Sequence, residues 1–261
     1  MLTDPILDLE LWLILCSVAF LAGLIDSIAG GGGMLTIPAL LTTGLPPHVA
    51  LGTNKLAASF GSLTASVTFY RKKLFNPYYW RLSVIYTAIG AIVGTITVSY
   101  VSVKFLEKYI PVFIIITAFY TMMSKTISTQ STNLPLVNFK LKAKQIFQGL
   151  ILGFYDGFAG PGTGAFWTAS SSMLYKINIL LSSGLARSTN FVSNFCSLLT
   201  FFYLGYVNIT IGISMGIFIM IGSAIGANWA IKLGNQFIRP IFVTVVILMS
   251  ANLAYHAWAT Q

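Results

Sequence analysis

The chain has 261 residues, of which 56% are hydrophobic and only 8% are charged. Because a soluble domain carries about 25% charged residues, this composition excludes an ordinary soluble globular protein and predicts an integral membrane protein. The net charge of +9 is not evidence for nucleic-acid binding, since helical membrane proteins concentrate Lys and Arg in their cytoplasmic loops.

Long stretches without Lys, Arg, Asp or Glu predict the membrane segments. They lie at 11–25, 27–54, 82–103, 109–124, 188–231 and 240–261. Several reach the roughly 20 residues that a spanning helix needs. They lack the alternation of apolar and polar residues that is typical of membrane β-barrel strands, so we expect an all-α polytopic protein. No small-residue cleavage site follows the first stretch, which we therefore expect to be retained.

The first stretch contains an acid and a run of glycines, in "LIDSIAGGGGMLTIPALL" at 24–41. Glycine disfavours the interior of a helix, so four in succession predict that one helix stops and a short one starts. The N-terminus of such a half-helix has free N–H groups and partial positive charge, which suit an anion.

The same pattern returns in the second half of the chain. "GLIDSIAGGGG" at 23–33 matches "GFYDGFAGPGT" at 153–163, and later landmarks recur in the same order. This predicts two homologous repeats with Gly-broken short helices. The expected units are a first repeat at 1–124, a basic linker at 125–144 and a second repeat at 145–261.

The Lys and Arg residues of the predicted loops indicate how the repeats are oriented. If each half has four spans, about eight in all, these residues divide 8 against 5 between the two sides. If the glycines separate two crossings, giving ten segments and an inverted second half, they divide 11 against 2. The positive-inside rule favours the second count, with both termini outside and the linker at 125–144 cytoplasmic.

Four charged residues fall inside predicted segments, and the repeat gives each half one acid and one base. They are Asp26, Lys55, Asp156 and Arg187. Charges within a membrane tend to pair or to face a cavity. Two interpretations stay open: internal salt bridges that fasten each glycine break to the next helix, or a polar cavity between the repeats. The acids would orient the cations or carry a coupling proton.

The candidate substrate-binding residues are the two cations, their polar neighbours and the glycine amides. They are Lys55, Arg187, Asn54, Asn190, Thr53, Thr189, Gly31, Gly32 and Gly162. A different role is expected for Gly90, Gly94, Gly222 and Gly226, which are spaced four apart and predict close helix packing.

No catalytic or metal-binding pattern is present in the sequence. His48 and His256 are isolated, and neither a nucleophile motif nor a Walker lysine occurs. We therefore expect no enzyme activity, no cofactor and no metal.

The segment "AGLIDSIAGGGGMLTIPALLTTGLPPHVALGTNKLAASFGS" (22–62), followed by "FYRKKL", resembles the signature of the TauE/SafE family of membrane permeases. "GFYDGFAGPGTG" (153–164), with "IRP" at 238–240, resembles its YfcA branch. The resemblance implies a small duplicated carrier, in a family with members linked to sulfite or organosulfonate transport.

The expected function is thus a secondary transporter that moves a small anion, such as a sulfonate or sulfite, across the bacterial inner membrane by alternating access. The alternative is a non-transporting scaffold or assembly factor with structural ion pairs and no polar cavity. The expected partners are the lipid bilayer, the anion and coupling protons; nucleic acid is not expected. Substrate identity, direction of transport and homo-oligomerisation are left open.

Overall fold

The computed structural model describes residues 8–123 and 132–233, and these ranges fold into nine α-helices. The helices are α1 Leu9–Ala29, α2 Gly33–Leu41, α3 Pro47–Arg71, α4 Arg81–Ser99, α5 Val103–Met123, α6 Phe139–Phe158, α7 Thr163–Tyr175, α8 Ile179–Tyr203 and α9 Ile209–Leu233. The all-α fold class is confirmed for these ranges. The predicted segment at 240–261 lies outside the described residues.

Three of the described helices are long and apolar enough to cross a membrane: Leu9–Ala29, Arg81–Ser99 and Ile209–Lys232. With 25 residues each, α3 and α8 are about 37 Å long at 1.5 Å per residue, but they are more polar. Their polar residues are mostly buried, because α3 and α8 pack against each other and against helices of both halves.

Both predicted glycine breaks are confirmed. The first separates α1 from α2 at residues 30–32, and the second separates α6 from α7 at residues 159–162. Gly30 has a φ of 80° and Gly162 a φ of 79°, a region that side chains with a Cβ disfavour. Gly32 lies back against α1, since a Cβ on it would be 3.0 Å from the carbonyl oxygen of Ala22. The chain therefore reverses at the first break.

Glycines let the two halves approach closely at the α4–α6 and α1–α9 interfaces. A Cβ on Gly94 would lie 2.2 Å from the carbonyl oxygen of Phe154, and one on Gly226 would lie 2.2 Å from that of Leu24. Gly90 and Gly222 face backbone in the same way. The prediction that these glycines serve helix packing is confirmed.

Replacing Gly94 by Ala should separate α4 from α6 and destabilise the protein. Because the new methyl group would meet backbone rather than a movable side chain, we expect a loss of about 1–3 kcal/mol. The measurement is the midpoint of thermal unfolding in detergent. Thr97→Ala, on the exposed side of the same helix, is the control, and an unchanged midpoint for Gly94→Ala would contradict the packing role.

Neighbouring residues give the relative directions of the two central helices. Gly52, near the start of α3, lies beside Phe201, near the end of α8. Further along α3, Ser66 donates a hydrogen bond to the hydroxyl of Ser188, nearer the start of α8, at 3.0 Å. The helices α3 and α8 are therefore antiparallel.

The helices α1 and α3 both run parallel to α9. Gly222 and Gly226 of α9 lie beside Phe20 and Leu24 of α1, in the same order. Gly212 and Gly216 contact Leu56 and Phe60 of α3, again in the same order. It follows that α1 and α3 point in the same direction, with the short α2 between them.

Residues 139–144, at the C-terminal end of the predicted linker 125–144, form the first turns of α6. Asn138 caps this helix, since its Oδ1 accepts a hydrogen bond from the backbone nitrogen of Leu141 at 2.8 Å. Asparagine is a favoured N-cap residue, and exposed lysines are compatible with an outward-facing helix turn. Residues 124–131 lie outside the described part of the chain.

Candidate functional site

The two glycine breaks meet at the centre of the protein. A Cβ on Gly30 would be 2.4 Å from the nitrogen of Ala165, and one on Gly164 would be 3.1 Å from the Cα of Gly30. The start of α7 therefore lies directly on the end of α1, and this contact requires glycine on both sides.

A polar cavity of about 30 Å³ lies at this junction, with room for about two water molecules. Eight of the eleven residues predicted for the site line it: Asp26, Gly31, Gly32, Asn54, Lys55, Asp156, Gly162 and Asn190. Residues from both halves thus share one cavity.

Lys55 and Asp156 form an ion pair across the two halves. The Nζ of Lys55 donates to the Oδ1 of Asp156 at 2.9 Å and to its backbone oxygen at 2.6 Å, and each side chain is only 2% exposed. Thr163 donates to the same Oδ1 at 3.0 Å, and Ser193 donates to the Oδ2. Three side-chain donors therefore hold the Asp156 carboxylate in place.

Asp26 is bound differently, within its own loop. Its Oδ1 accepts hydrogen bonds from the backbone nitrogens of Gly31 at 2.8 Å and Gly32 at 2.9 Å. No ion pair within 4.0 Å joins Asp26 to Arg187 in the described structure, although the two charges interact electrostatically. Of the two interpretations left open, the internal salt bridges are not found among the described residues: Lys55 pairs with Asp156 across the two halves, and Asp26 binds loop amides.

Pro161 explains why the two acids differ. It occupies the position in the second break that Gly31 holds in the first, and proline has no backbone N–H. One of the two loop amides that Asp26 uses, that of Gly31, therefore has no counterpart beside Asp156. Asp156 instead accepts the ammonium of Lys55 and the hydroxyl of Thr163.

Arg187 is fully buried and has no hydrogen-bond partner among the described residues. Its Nε, Nη1 and Nη2 are all unsatisfied. It does not line the cavity, but its Nη1 lies 2.6 Å from where a Cβ of Gly164 would be, and Gly164 does line the cavity. Such an unsatisfied buried group requires an explanation, and ion binding is one of the usual ones.

Of the three glycines predicted to bind the substrate, only Gly162 has a free amide in the described structure. The amides of Gly31 and Gly32 already donate to Asp26. Those of Gly33, Gly162 and Gly164 donate to no acceptor in the described structure, and all three residues line the cavity. The starts of α2 and α7 therefore present unpaired donors there.

Thr53 and Thr189 lie away from the cavity. The Oγ1 of Thr53 accepts a hydrogen bond from the backbone nitrogen of Asn208 at 2.9 Å. Thr189 donates to the backbone oxygen of Leu185, also at 2.9 Å. Both hydroxyls are used in local structure, a common role for Ser and Thr in buried helices.

Several cavity residues were missing from the sequence prediction. They are Thr36, Thr163, Gly160, Gly164 and Asn194, which line the cavity, and Ser193, which binds Asp156. Thr36 donates to the Oδ1 of Asn54 at 2.5 Å. Ser193 and Asn194 follow Asn190 by three and four residues, and this spacing places them on the same helix face.

A family model described as "Sulfite exporter TauE/SafE" matches residues 15–253. A "Probable membrane transporter protein" of Haemophilus influenzae is 35% identical over 257 residues, covering 95% of this chain and 96% of that protein. No solved structure matches the chain.

Two further relatives have similar names. The "Probable membrane transporter protein YfcA" of Escherichia coli K12 is 35% identical, covering 93% of this chain and 89% of its own. The "Probable membrane transporter protein ORF9" of a Sinorhizobium species is 33% identical, with 90% and 89% covered. The similarity extends along both halves of the chain.

Proposed function

The chain belongs to the sulfite exporter TauE/SafE family, a family of membrane transporters, and from this premise we propose that it is a secondary transporter for a small anion. The observation that carries the proposal is the fully buried Arg187, which has no hydrogen-bond partner among residues 8–123 and 132–233 and lies beside the junction of two half-helix N-termini. A transport role without enzyme activity is part of the proposal. The substrate class, a sulfonate or sulfite, comes from the family description.

The donors around the cavity suit an oxyanion. Lys55 has three N–H donors and gives two hydrogen bonds to Asp156, so one remains. Arg187 offers a planar guanidinium that binds oxyanions with two parallel hydrogen bonds. The unpaired amides of Gly33, Gly162 and Gly164 add the partial positive charge of two helix starts.

The size of the cavity supports alternating access. A volume of about 30 Å³ is room for about two water molecules, so the site must widen to receive a sulfonate. We infer that this conformation is a closed one. Separation of Gly30 from Gly164, whose backbones touch, would open the cavity toward one side.

The helix directions support an inverted repeat of ten segments. The central helices α3 and α8, which carry the matching Thr-Asn pairs, are antiparallel. In the eight-span arrangement α1 and α2 would form one crossing and α3 would return antiparallel to α1, whereas α1 and α3 both run parallel to α9. Inverted repeats of this kind rock around a central site. Outside termini, a cytoplasmic linker and an inner-membrane location complete this proposal.

The scaffold alternative fits these observations less well. It predicts a packed interior without a polar cavity, and it leaves the unpartnered guanidinium of Arg187 unexplained. A binding experiment separates the two functions.

We expect small anions to stabilise the purified protein. Methanesulfonate, isethionate and sulfite would be added to protein in detergent, with chloride at equal ionic strength as the control. A ligand at 100 times its Kd stabilises by about 2.7 kcal/mol, so the midpoint of thermal unfolding should rise by several degrees. If no anion shifts the midpoint and none crosses the membrane of proteoliposomes, the transporter proposal fails.

A further inference from the structure

We propose that Asp26 takes up one proton for each monovalent anion that the site binds, so that the two cross the membrane together. This inference rests on the proposed transport function and assigns its driving ion. It starts from the charges that surround the cavity and from the different hydrogen bonds of the two aspartates.

The charged groups that face Asp26 come from three helices. They are Lys55 on α3, Asp156 on α6 and Arg187 on α8. No titratable side chain of α2, α7 or α9 lines the cavity. With all four groups ionised, the site carries no net charge, as two cations balance two carboxylates.

A bound anion would upset this balance. Adding one monovalent anion to the ionised site leaves an excess negative charge at the membrane interior, and an uncompensated buried charge is strongly unfavourable. If one carboxylate is protonated first, the empty site has a charge of +1, which one monovalent anion neutralises. A site built in this way prefers to bind a proton and an anion together.

Asp156 is not suited to receive this proton. Its Oδ1 accepts from Lys55 and Thr163, and its Oδ2 accepts from Ser193. Hydrogen bonds to the charged form favour ionisation, and protonation would leave the buried ammonium of Lys55 without its counter-charge. Asp156 is therefore a positioning residue for Lys55.

Asp26 has a carboxylate oxygen that accepts no hydrogen bond from the described residues, whereas both oxygens of Asp156 accept one. Its Oδ1 accepts two amide hydrogen bonds, while its Oδ2 accepts none from the described residues. Its side chain is half-buried and lines the cavity. The Oδ2 can thus receive a proton without breaking an existing contact, and the amides of Gly31 and Gly32 still hold the Oδ1.

Protonation of Asp26 also changes the environment of Arg187. Asp26 is the carboxylate that acts electrostatically on Arg187. When Asp26 is neutral, the guanidinium has no balancing charge, and the anion takes that place. On release, Asp26 loses its proton and again balances Arg187. One proton and one monovalent anion move in the same direction, and the cycle transfers no net charge.

The test is flux into proteoliposomes of the full chain, measured with radiolabelled methanesulfonate and isethionate. Both are anions of strong acids, so any coupled proton must be carried by the protein. We expect an inward proton gradient to drive accumulation at least tenfold above equilibration. A potassium potential set with valinomycin at equal pH should drive none.

One variant and its control test whether Asp26 carries the proton. Asp26→Asn imitates the protonated carboxyl, so it should still exchange internal for external methanesulfonate but lose all accumulation driven by the proton gradient. Its affinity should not depend on pH, whereas the wild-type affinity should fall as the pH rises. Glu10→Gln, an exposed acid on the same helix, should behave like the wild type.

The outcomes distinguish failure of anion transport from failure of proton coupling through Asp26. If neither sulfonate is transported by the wild type, transport of small sulfonates fails and the coupling proposal falls with it. Transport that follows the electrical potential and ignores the proton gradient overturns the coupling alone. Proton-driven accumulation that survives in Asp26→Asn shows that another group carries the proton.

Discussion

Replacing Arg187 by Met is expected to weaken anion binding strongly while leaving the stability of the empty protein nearly unchanged. The guanidinium is fully buried and has no hydrogen-bond partner among the described residues. Its removal therefore leaves no partner group unsatisfied, and the stability of the empty protein should change little. Loss of one or two charged hydrogen bonds to the anion should weaken binding by about 2–4 kcal/mol, roughly 30- to 700-fold.

The measurements are the unfolding midpoint with and without methanesulfonate and the flux into proteoliposomes. Arg187→Lys keeps the charge but loses the planar geometry, so its binding should lie between the wild type and Arg187→Met. Arg71→Met, at the exposed end of α3, is the control and should change neither quantity. A large loss of stability in Arg187→Met without ligand would indicate a structural role and count against the site.

Replacing Lys55 by Met should have the opposite effect on stability. It leaves the carboxylate of Asp156 buried without its cation, although Thr163 and Ser193 still donate to it. Breaking a buried ion pair from one side typically destabilises by 3–5 kcal/mol, and we expect about that loss together with the loss of anion flux. The unfolding midpoint and the flux assay report these two effects separately.

The double variant Lys55→Met, Asp156→Asn tests the origin of both effects. It removes the pair rather than one partner, so stability should largely return while flux stays absent. Lys104→Met, on an exposed position of α5, should leave both unchanged. If the double variant were as unstable as the single one, the ion pair would not be the cause of the instability.

Arg187→Met and Lys55→Met form an informative pair because both remove one positive charge from the same region. Simple electrostatics would predict similar effects. The hydrogen bonds predict different ones, since Lys55 balances Asp156 whereas Arg187 has no partner in the described structure. Comparing the two variants therefore distinguishes a structural role for Lys55 from an anion-binding role for Arg187.

The sequence by itself determined the membrane class, both glycine breaks and the four charged residues within the apolar segments. These features depend on local properties: hydropathy over about 20 residues, the poor helix propensity of glycine and the high energy of an isolated charge in a membrane. The packing role of Gly90, Gly94, Gly222 and Gly226 was equally visible, because residues four apart share a helix face.

The partners of the charges were decided by the tertiary structure. Asp156 lies 101 positions from Lys55 in the chain, and spacing along the sequence cannot show which acid the packed helices bring to which base. Pro161 lacks an N–H, and this distinguishes the second break from the first. Only the packing of the two halves, however, places Lys55 against Asp156. The same packing leaves Arg187 beside Gly164 without a hydrogen-bond partner among the described residues.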